Sequence, residues 1–227
     1  MVSHTFYTQH TEEFYDFYKN KMIFLDAKPN KAHLKLAEME QAGKLSAIVT
    51  QNIDGLHQAA GSKNVFELHG SVHRNYCQKC GKFFDVNYVV NAKGVPYCDE
   101  CGGIIKPDVV LYEEGLDSQT INGAVRAISK ADMLIIGGTS LVVYPAAGMI
   151  DYFKGKYLAV LNRDATSEIN RQICALQTQS EKYWEESGYK DEEKGYDLDR
   201  SSTGNFADQF CSDQDDTKRR KRSDRDS

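Results

Sequence analysis

The sequence predicts an α/β fold with a parallel sheet and a small metal-binding module, on three observations. Short apolar, β-branched runs alternate with amphipathic helical stretches. Each of these runs ends in polar or glycine-containing residues. Four cysteines fall in two close pairs near mid-chain. Strands that alternate with helices favour a parallel sheet covered on both faces.

In chain order, Thr11 to Tyr18 reads as a short helix with an aromatic face, Thr11 as its cap and acids in its first turn. An aromatic stripe of this kind is a packing surface before it is a ligand site. Pro29-Asn30 opens a helix from about Lys31 to Ala42, and Gly43 stops it. Leu45 to Thr50 and Asn64 to Leu68 read as buried strands. Ser118 caps an amphipathic helix that places Ile121, Ala124, Val125 and Ile128 on one face. Ala131 to Ile136 is the most apolar strand, and Lys156 to Leu161 is the next. From Gln177 to Ser227 aliphatic residues are few, so this segment is expected to be a disordered tail. The tail carries a basic cluster, Lys218 to Arg222, read as a solvated end or, more sharply, as a nuclear-import or nucleic-acid patch.

The cysteine pairs carry the most specific spacing. Cys77-x-x-Cys80 and Cys98-x-x-Cys101 are separated by seventeen residues. Each pair can place two thiolates around one Zn²⁺, and four thiolates close its coordination sphere, so the metal is structural. Gly81 and Gly102 follow the pairs, as the tight turns of a metal knuckle need. Cys174 and Cys211 stand alone and read as free thiols. The chain has 227 residues and a net charge of -5, which gives no global signature of nucleic-acid binding. No stretch approaches the roughly 18 apolar residues of a membrane span. Met1 to His10 shows no apolar signal-peptide core. A cytoplasmic location is therefore expected.

Four strand ends carry the candidate chemistry. They run into Gln51-Asn52-Ile53-Asp54-Gly55, His69-Gly70-Ser71, Gly137-Gly138-Thr139-Ser140 and Asn162-Arg163-Asp164. In open α/β sheets ligands bind at the carboxyl ends of strands, so these loops are expected to line one crevice. Gly137 to Ser140 offers N–H groups and hydroxyls to a phosphate, with Pro145 placed to start the following helix. Taken singly, each of these residues has a plainer reading as a turn former or a structural histidine.

Several motifs in order resemble the sirtuin family of NAD-dependent protein-lysine deacylases. They are Pro29-Asn30-x-x-His33, Thr50 to His57, Glu67-Leu68-His69-Gly70-Ser71, the cysteine pairs, Lys106-Pro107-Asp108-Val109-Val110, and Gly138 to Leu141 with Pro145-Ala146-Ala147. The resemblance runs from Thr11 to Asp164, in a bacterial style. It implies a Rossmann-like NAD-binding domain over residues 1–70 and 105–170 and a zinc-ribbon module over residues 71–104. It implies that His69 is the general base acting on a ribose hydroxyl. Asp54 would hold the nicotinamide carboxamide, with Ile53 beside it. Asn52 would orient the ribose and a water, and Gln51 would contact the nicotinamide ribose. Gly138, Thr139 and Ser140 would contact phosphate and ribose, and Asn162 the adenine ribose. Val109 would pair with the backbone of an acyl-lysine peptide, the expected partner; neither nucleic acid nor membrane is one. Zn²⁺ and NAD as co-substrate are the implied cofactors, and the products would be nicotinamide, free lysine and O-acyl-ADP-ribose.

This sequence departs from the family in three places. The first strand with its Gly-Ala-Gly-x-Ser loop and the Asp-Phe-Arg segment are absent, so the sheet is expected to lack that strand. Ser167 to Lys182 is polar where the family has an apolar strand and a helix. Tyr112-Glu113-Glu114 stands where the family often has Phe-Gly-Glu. Two other readings stay open: a catalytically degenerate remnant that keeps zinc and weak NAD or ADP-ribose binding, and a zinc-ribbon binding module with a basic tail.

Overall fold

The computed structural model describes residues 1–139 and 146–162. The expectations at Ser140, Pro145, Cys174, Cys211, residues 167–182 and the tail from 177 on lie outside the described residues. Two compact units divide the rest: residues 1–131 with 146–154, and residues 132–139 with 155–162.

The first unit opens with two helices, α1 (His4–Gln9) and α2 (Thr11–Lys21). Six residues are too few to show a helical period, which is why α1 left no mark in the sequence pattern. Its presence also moves the cap. Thr11 lies inside α2, and its hydroxyl donates to the Tyr7 carbonyl (2.9 Å) instead of capping. The aromatic face is core: Tyr7, Phe14, Tyr15 and Tyr18 are buried in one cluster with Val72, Cys77, Phe84, Val89, Cys98 and Ile105. Ring pairs at 5.0 Å (Tyr7–Phe14, edge-on) and 5.6 Å (Phe14–Tyr18, stacked) fix its geometry. The helical pair therefore packs onto the segment that carries the cysteines.

Helix α3 (Lys31–Gln41) is capped as expected. Asn30 Oδ1 accepts from the N–H groups of Ala32 and His33, and His33 Nδ1 accepts from the Asn30 N–H, a reciprocal capping box. At the other end the Gly43 and Lys44 N–H groups return to the Glu40 and Met39 carbonyls. Strands β1 (Ile48–Thr50) and β2 (Val65–Glu67) are parallel, with Ile48 opposite Val65, and α4 (Leu56–Ala59) lies between them in sequence. Strand β1 starts later than the sequence reading because the Leu45 N–H goes to the Met39 carbonyl.

Strands β3 (Gly70–Cys77), β4 (Phe83–Phe84) and β5 (Ile105–Val109) form an antiparallel sheet ordered β4-β3-β5, with α5 (Val86–Asn91) following β4. Gly70 faces Val109 and Ser71 faces Asp108, but pairing resumes only at Asn75 opposite Pro107. Val72, His73 and Arg74 thus leave the ladder as a bulge. Pro107 lacks an N–H and sits on the edge strand, where the ladder tolerates it. At Gly70 φ is +75°, and a Cβ would stand 1.9 Å from the Asp108 carbonyl oxygen, so only glycine fits. Helix α6 (Ser118–Lys130) buries Ala124 and Ile128 and packs on β2, and a 3-10 helix (Ala146–Tyr152) packs on α6. Its cap is Asp117, whose Oδ2 accepts from the Thr120 N–H (2.7 Å), and not Ser118.

The second unit holds β6 (Met133–Gly137) and β7 (Tyr157–Leu161), parallel, with Met133 opposite Tyr157. Ile136 is buried, while Met133 and Tyr157, side by side on the same face, remain 50% and 51% exposed.

Two buried tyrosines separate hydrogen bonding from packing. Tyr15 donates to the Ile105 carbonyl, whereas Tyr18 Oη has no partner among the described residues. Tyr15→Phe should cost about 1–3 kcal/mol because it orphans that carbonyl. Tyr18→Phe should be neutral or stabilising, since it removes a buried hydroxyl that makes no bond. Paired thermal melts of the two variants check the difference in sign.

Candidate functional site

Strands β1 and β2 are parallel neighbours, so the turns after them emerge at the same edge. The last residue of β1 and the turn after it, residues 51–55, are held by four hydrogen bonds to the chain that follows β2. The Leu68 N–H donates to the Thr50 carbonyl (2.9 Å) and the Val72 N–H to the Ile53 carbonyl (3.0 Å). His69 Nδ1 donates to the Gln51 carbonyl (2.9 Å), and His73 Nε2 donates to the Asp54 carbonyl (3.0 Å). A carbonyl can only accept, so the bond to Gln51 fixes the neutral His69 ring as its Nδ1–H tautomer. The lone pair then sits on Nε2. Within the turn, Asp54 Oδ1 accepts from the Leu56 N–H (2.9 Å). His57 lies 4.6 Å from the His33 ring; burial, then that neighbour, pushes its pKa below the usual histidine range and keeps it neutral.

Beside the turn, Arg74 joins Glu67 at the end of β2 (Nη1, 2.6 Å) to Asp108 on β5 (Nε, 2.7 Å). Val109 is buried opposite Gly70, and its carbonyl accepts from Lys106 Nζ (3.1 Å).

In the second unit the turn after β6 meets the end of β7. The Gly138 N–H donates to the Leu161 carbonyl (3.0 Å), and Asn162 Nδ2 donates to the Thr139 carbonyl (3.0 Å). Of the four strand ends expected to line one crevice, those at 138–139 and 161–162 meet here.

The cysteines form one cluster. The Sγ atoms of Cys77, Cys80, Cys98 and Cys101 all lie within 4.8 Å of one another. Cys77 and Cys101 are 3.3 Å apart, and Cys80 and Cys98 are 3.7 Å apart. Four sulfurs bound to one Zn²⁺ at about 2.3 Å stand about 3.8 Å from one another, so the residues fit a tetrahedral zinc. Both knuckles have the same closure: the Gly81 N–H donates to the Cys77 carbonyl and the Gly102 N–H to the Cys98 carbonyl. Lys82 ties one knuckle to the other through Asp99 and Glu100 (2.8 Å each).

A sequence profile of the Sir2 family matches residues 1–145. The chain belongs to the Sir2 family. It is 66% identical over 171 residues to an NAD-dependent protein deacetylase of Clostridium acetobutylicum, covering 75% of this chain and 70% of that protein. It is 64% identical over 167 residues to one of Clostridium perfringens, covering 73% and 68%. Among solved structures, a Sir2 protein with a p53 peptide and NAD+ superposes with a TM-score of 0.70 at 37% identity, covering 83% of this chain and 82% of that one. Another, Sir2 bound to acetylated peptide, gives 0.69 at 37% identity, covering 82% and 83%. The Sir2 fold is Rossmann-like α/β, and the parallel pairs and the cysteine module of this chain are parts of it.

In this Sir2 chain the sequence-derived residues fall in three groups. Gln51, Asn52, Ile53, Asp54 and His69 share one turn system, with Val109 on the strand next to it. Gly138, Thr139 and Asn162 share another, and Ser140 lies outside the described residues. The cysteines are the third. Sequence reasoning missed His73 and Arg74; their bonds depend on the β3 bulge, which no local pattern marks.

The purified chain should carry one zinc ion, and Cys98→Ala should lose it together with the folded module. Metal analysis with circular dichroism checks both, and native zinc stoichiometry in the variant would rule out a four-thiolate site.

Proposed function

We propose that this chain is an NAD-dependent protein-lysine deacetylase that moves the acyl group of acyl-lysine onto ADP-ribose and releases nicotinamide. One observation carries the reading: the His69 Nδ1–Gln51 carbonyl bond leaves Nε2 as the basic nitrogen beside the 51–55 turn. Its relatives carry the same activity in their names, and neighbouring structures were solved with peptide and NAD.

The roles follow from the chemistry of each group. His69 Nε2 takes the proton of a ribose hydroxyl, a role open to the ring nitrogen that carries the lone pair. Asp54 uses one carboxylate oxygen to hold its own turn, leaving the other to receive the carboxamide N–H of nicotinamide. Asn52 orients the ribose and a water, Ile53 lies between these two polar residues, and Gln51 meets the nicotinamide ribose. Gly138, Thr139 and Ser140 contact phosphate and ribose, and Asn162 the adenine ribose. Val109 offers β5, partnered on one side only among the described strands, to an extended peptide. NAD supplies the leaving group and the acceptor of the acyl group, so no protein nucleophile is required. The four-thiolate zinc has no open position and stays outside the chemistry. Among the described residues no helix is long and apolar enough to cross a membrane. Thiols kept as metal ligands suit a reducing compartment, and we place the reaction in the cytoplasm.

Incubation with NAD and an acetyl-lysine peptide tests the reading. Release of nicotinamide in step with free lysine is expected. Zinc uptake without any nicotinamide release would instead mark a degenerate remnant. His69→Ala should lower the turnover number by about 10²- to 10⁴-fold with zinc content unchanged. A comparable rate in that variant would remove His69 as the base.

A further inference from the structure

The bulge in β3 has a use for every residue it frees. Val72, His73 and Arg74 have no partners in the β5 ladder. The Val72 N–H reaches the Ile53 carbonyl (3.0 Å), and Arg74 reaches Glu67 and Asp108. His73 reaches furthest along the turn, to the Asp54 carbonyl (3.0 Å). Its ring also fills the space under Gly55, where a Cβ would stand 2.7 Å from His73 Cδ2. Gly55 has φ +69°, the left-handed region. A glycine peptide plane rotates easily, so the Asp54–Gly55 peptide needs an external restraint if the Asp54 side chain is to keep one direction. The His73 bond is such a restraint, made by a ring that also blocks the direction in which Gly55 could sink.

We propose that His73 is a positioning residue for the nicotinamide-receiving turn: hydrogen-bonded to the Asp54 carbonyl and packed beneath Gly55, it sets where Asn52 and the Asp54 carboxylate stand. The proposal rests on the deacetylase reading for its functional half and on the geometry alone for its structural half. His73 touches neither reacting atoms nor nicotinamide, so its loss acts through the turn. An exposed hydrogen bond of this kind contributes at most about 0.5–1.5 kcal/mol, which converts to an effect between about twofold and about tenfold.

The test uses the full zinc-loaded chain with His73→Ala and His73→Gln. Glutamine places an amide N–H close to the position of the histidine Nε2 and should keep the bond. Two readouts are taken with zinc content and melting temperature as controls. The first is amide hydrogen exchange across residues 53–57. The second is the split between the KM for NAD, the KM for peptide and kcat, with nicotinamide inhibition measured alongside.

In His73→Ala, exchange should rise across this segment. The KM for NAD should rise and nicotinamide inhibition weaken, each by about two- to tenfold. The KM for peptide and the zinc content should hold, and His73→Gln should restore the parent values. The proposal is overturned if exchange in His73→Ala equals the parent. It is also overturned if glutamine behaves like alanine, or if all kinetic constants fall together with the melting temperature. Should the parent chain release no nicotinamide, the deacetylase reading fails, and the exchange comparison alone then decides whether His73 holds the turn.

Discussion

Strand β3 is pinned at both ends, and the candidate site depends on both pins. At its far end Cys77 is buried and shares the four-sulfur cluster. At its near end Gly70 lies so close to the Asp108 carbonyl that no side chain fits. Between them lie Val72 and His73, which bond to the 51–55 turn. Four thiols packed together are unfavourable as four thiolates unless a cation neutralises them. A structural zinc in small peptides contributes about 10–16 kcal/mol of apparent binding energy. A whole domain is stable by only about 5–15 kcal/mol. The metal therefore outweighs any single apolar contact in this sheet. The aromatic residues of α1 and α2 share one core cluster with Val72, Cys77 and Val109, and Ile53 of the turn packs against that cluster.

Magnitudes of the same order decide how the 51–55 turn is built. Residues 51–55 have no regular structure of their own, and each backbone carbonyl left bare would cost about 1–3 kcal/mol if buried. The chain after β2 satisfies the carbonyls of Thr50, Gln51, Ile53 and Asp54 in turn. Two of these donors are ring nitrogens rather than backbone amides. A bulge is the means by which a strand can do this, because residues that leave the β5 ladder are free to bond elsewhere.

The fold class, the cysteine cluster and the Asn30 cap were legible because each rests on residues close in sequence. Two cysteines three positions apart make a knuckle whatever the rest of the chain does. Asn30 and His33 make their own capping box. What was not legible depends on residues far apart. The bulge arises where β3 meets Pro107, some thirty positions on, and nothing near Val72 announces it. The cap of α6 was misplaced by one position because Asp117 and Ser118 are both competent. The carboxylate wins, being favoured by the positive end of the helix dipole. Strand β6 read as the most apolar of the strands, yet alternate residues face opposite sides, and the Met133 side stays exposed.

His69 and His73 show how one residue type serves two ends in the same turn. Both donate to a backbone carbonyl, but through different nitrogens. His69 donates from Nδ1, next to its own backbone, and keeps the lone pair on the outer nitrogen. His73 donates from the outer nitrogen and keeps the lone pair on the inner one. The two rings therefore differ in which nitrogen is left over: Nε2 in His69 and Nδ1 in His73. The difference follows from where each residue stands, His69 just before β3 and His73 inside its bulge.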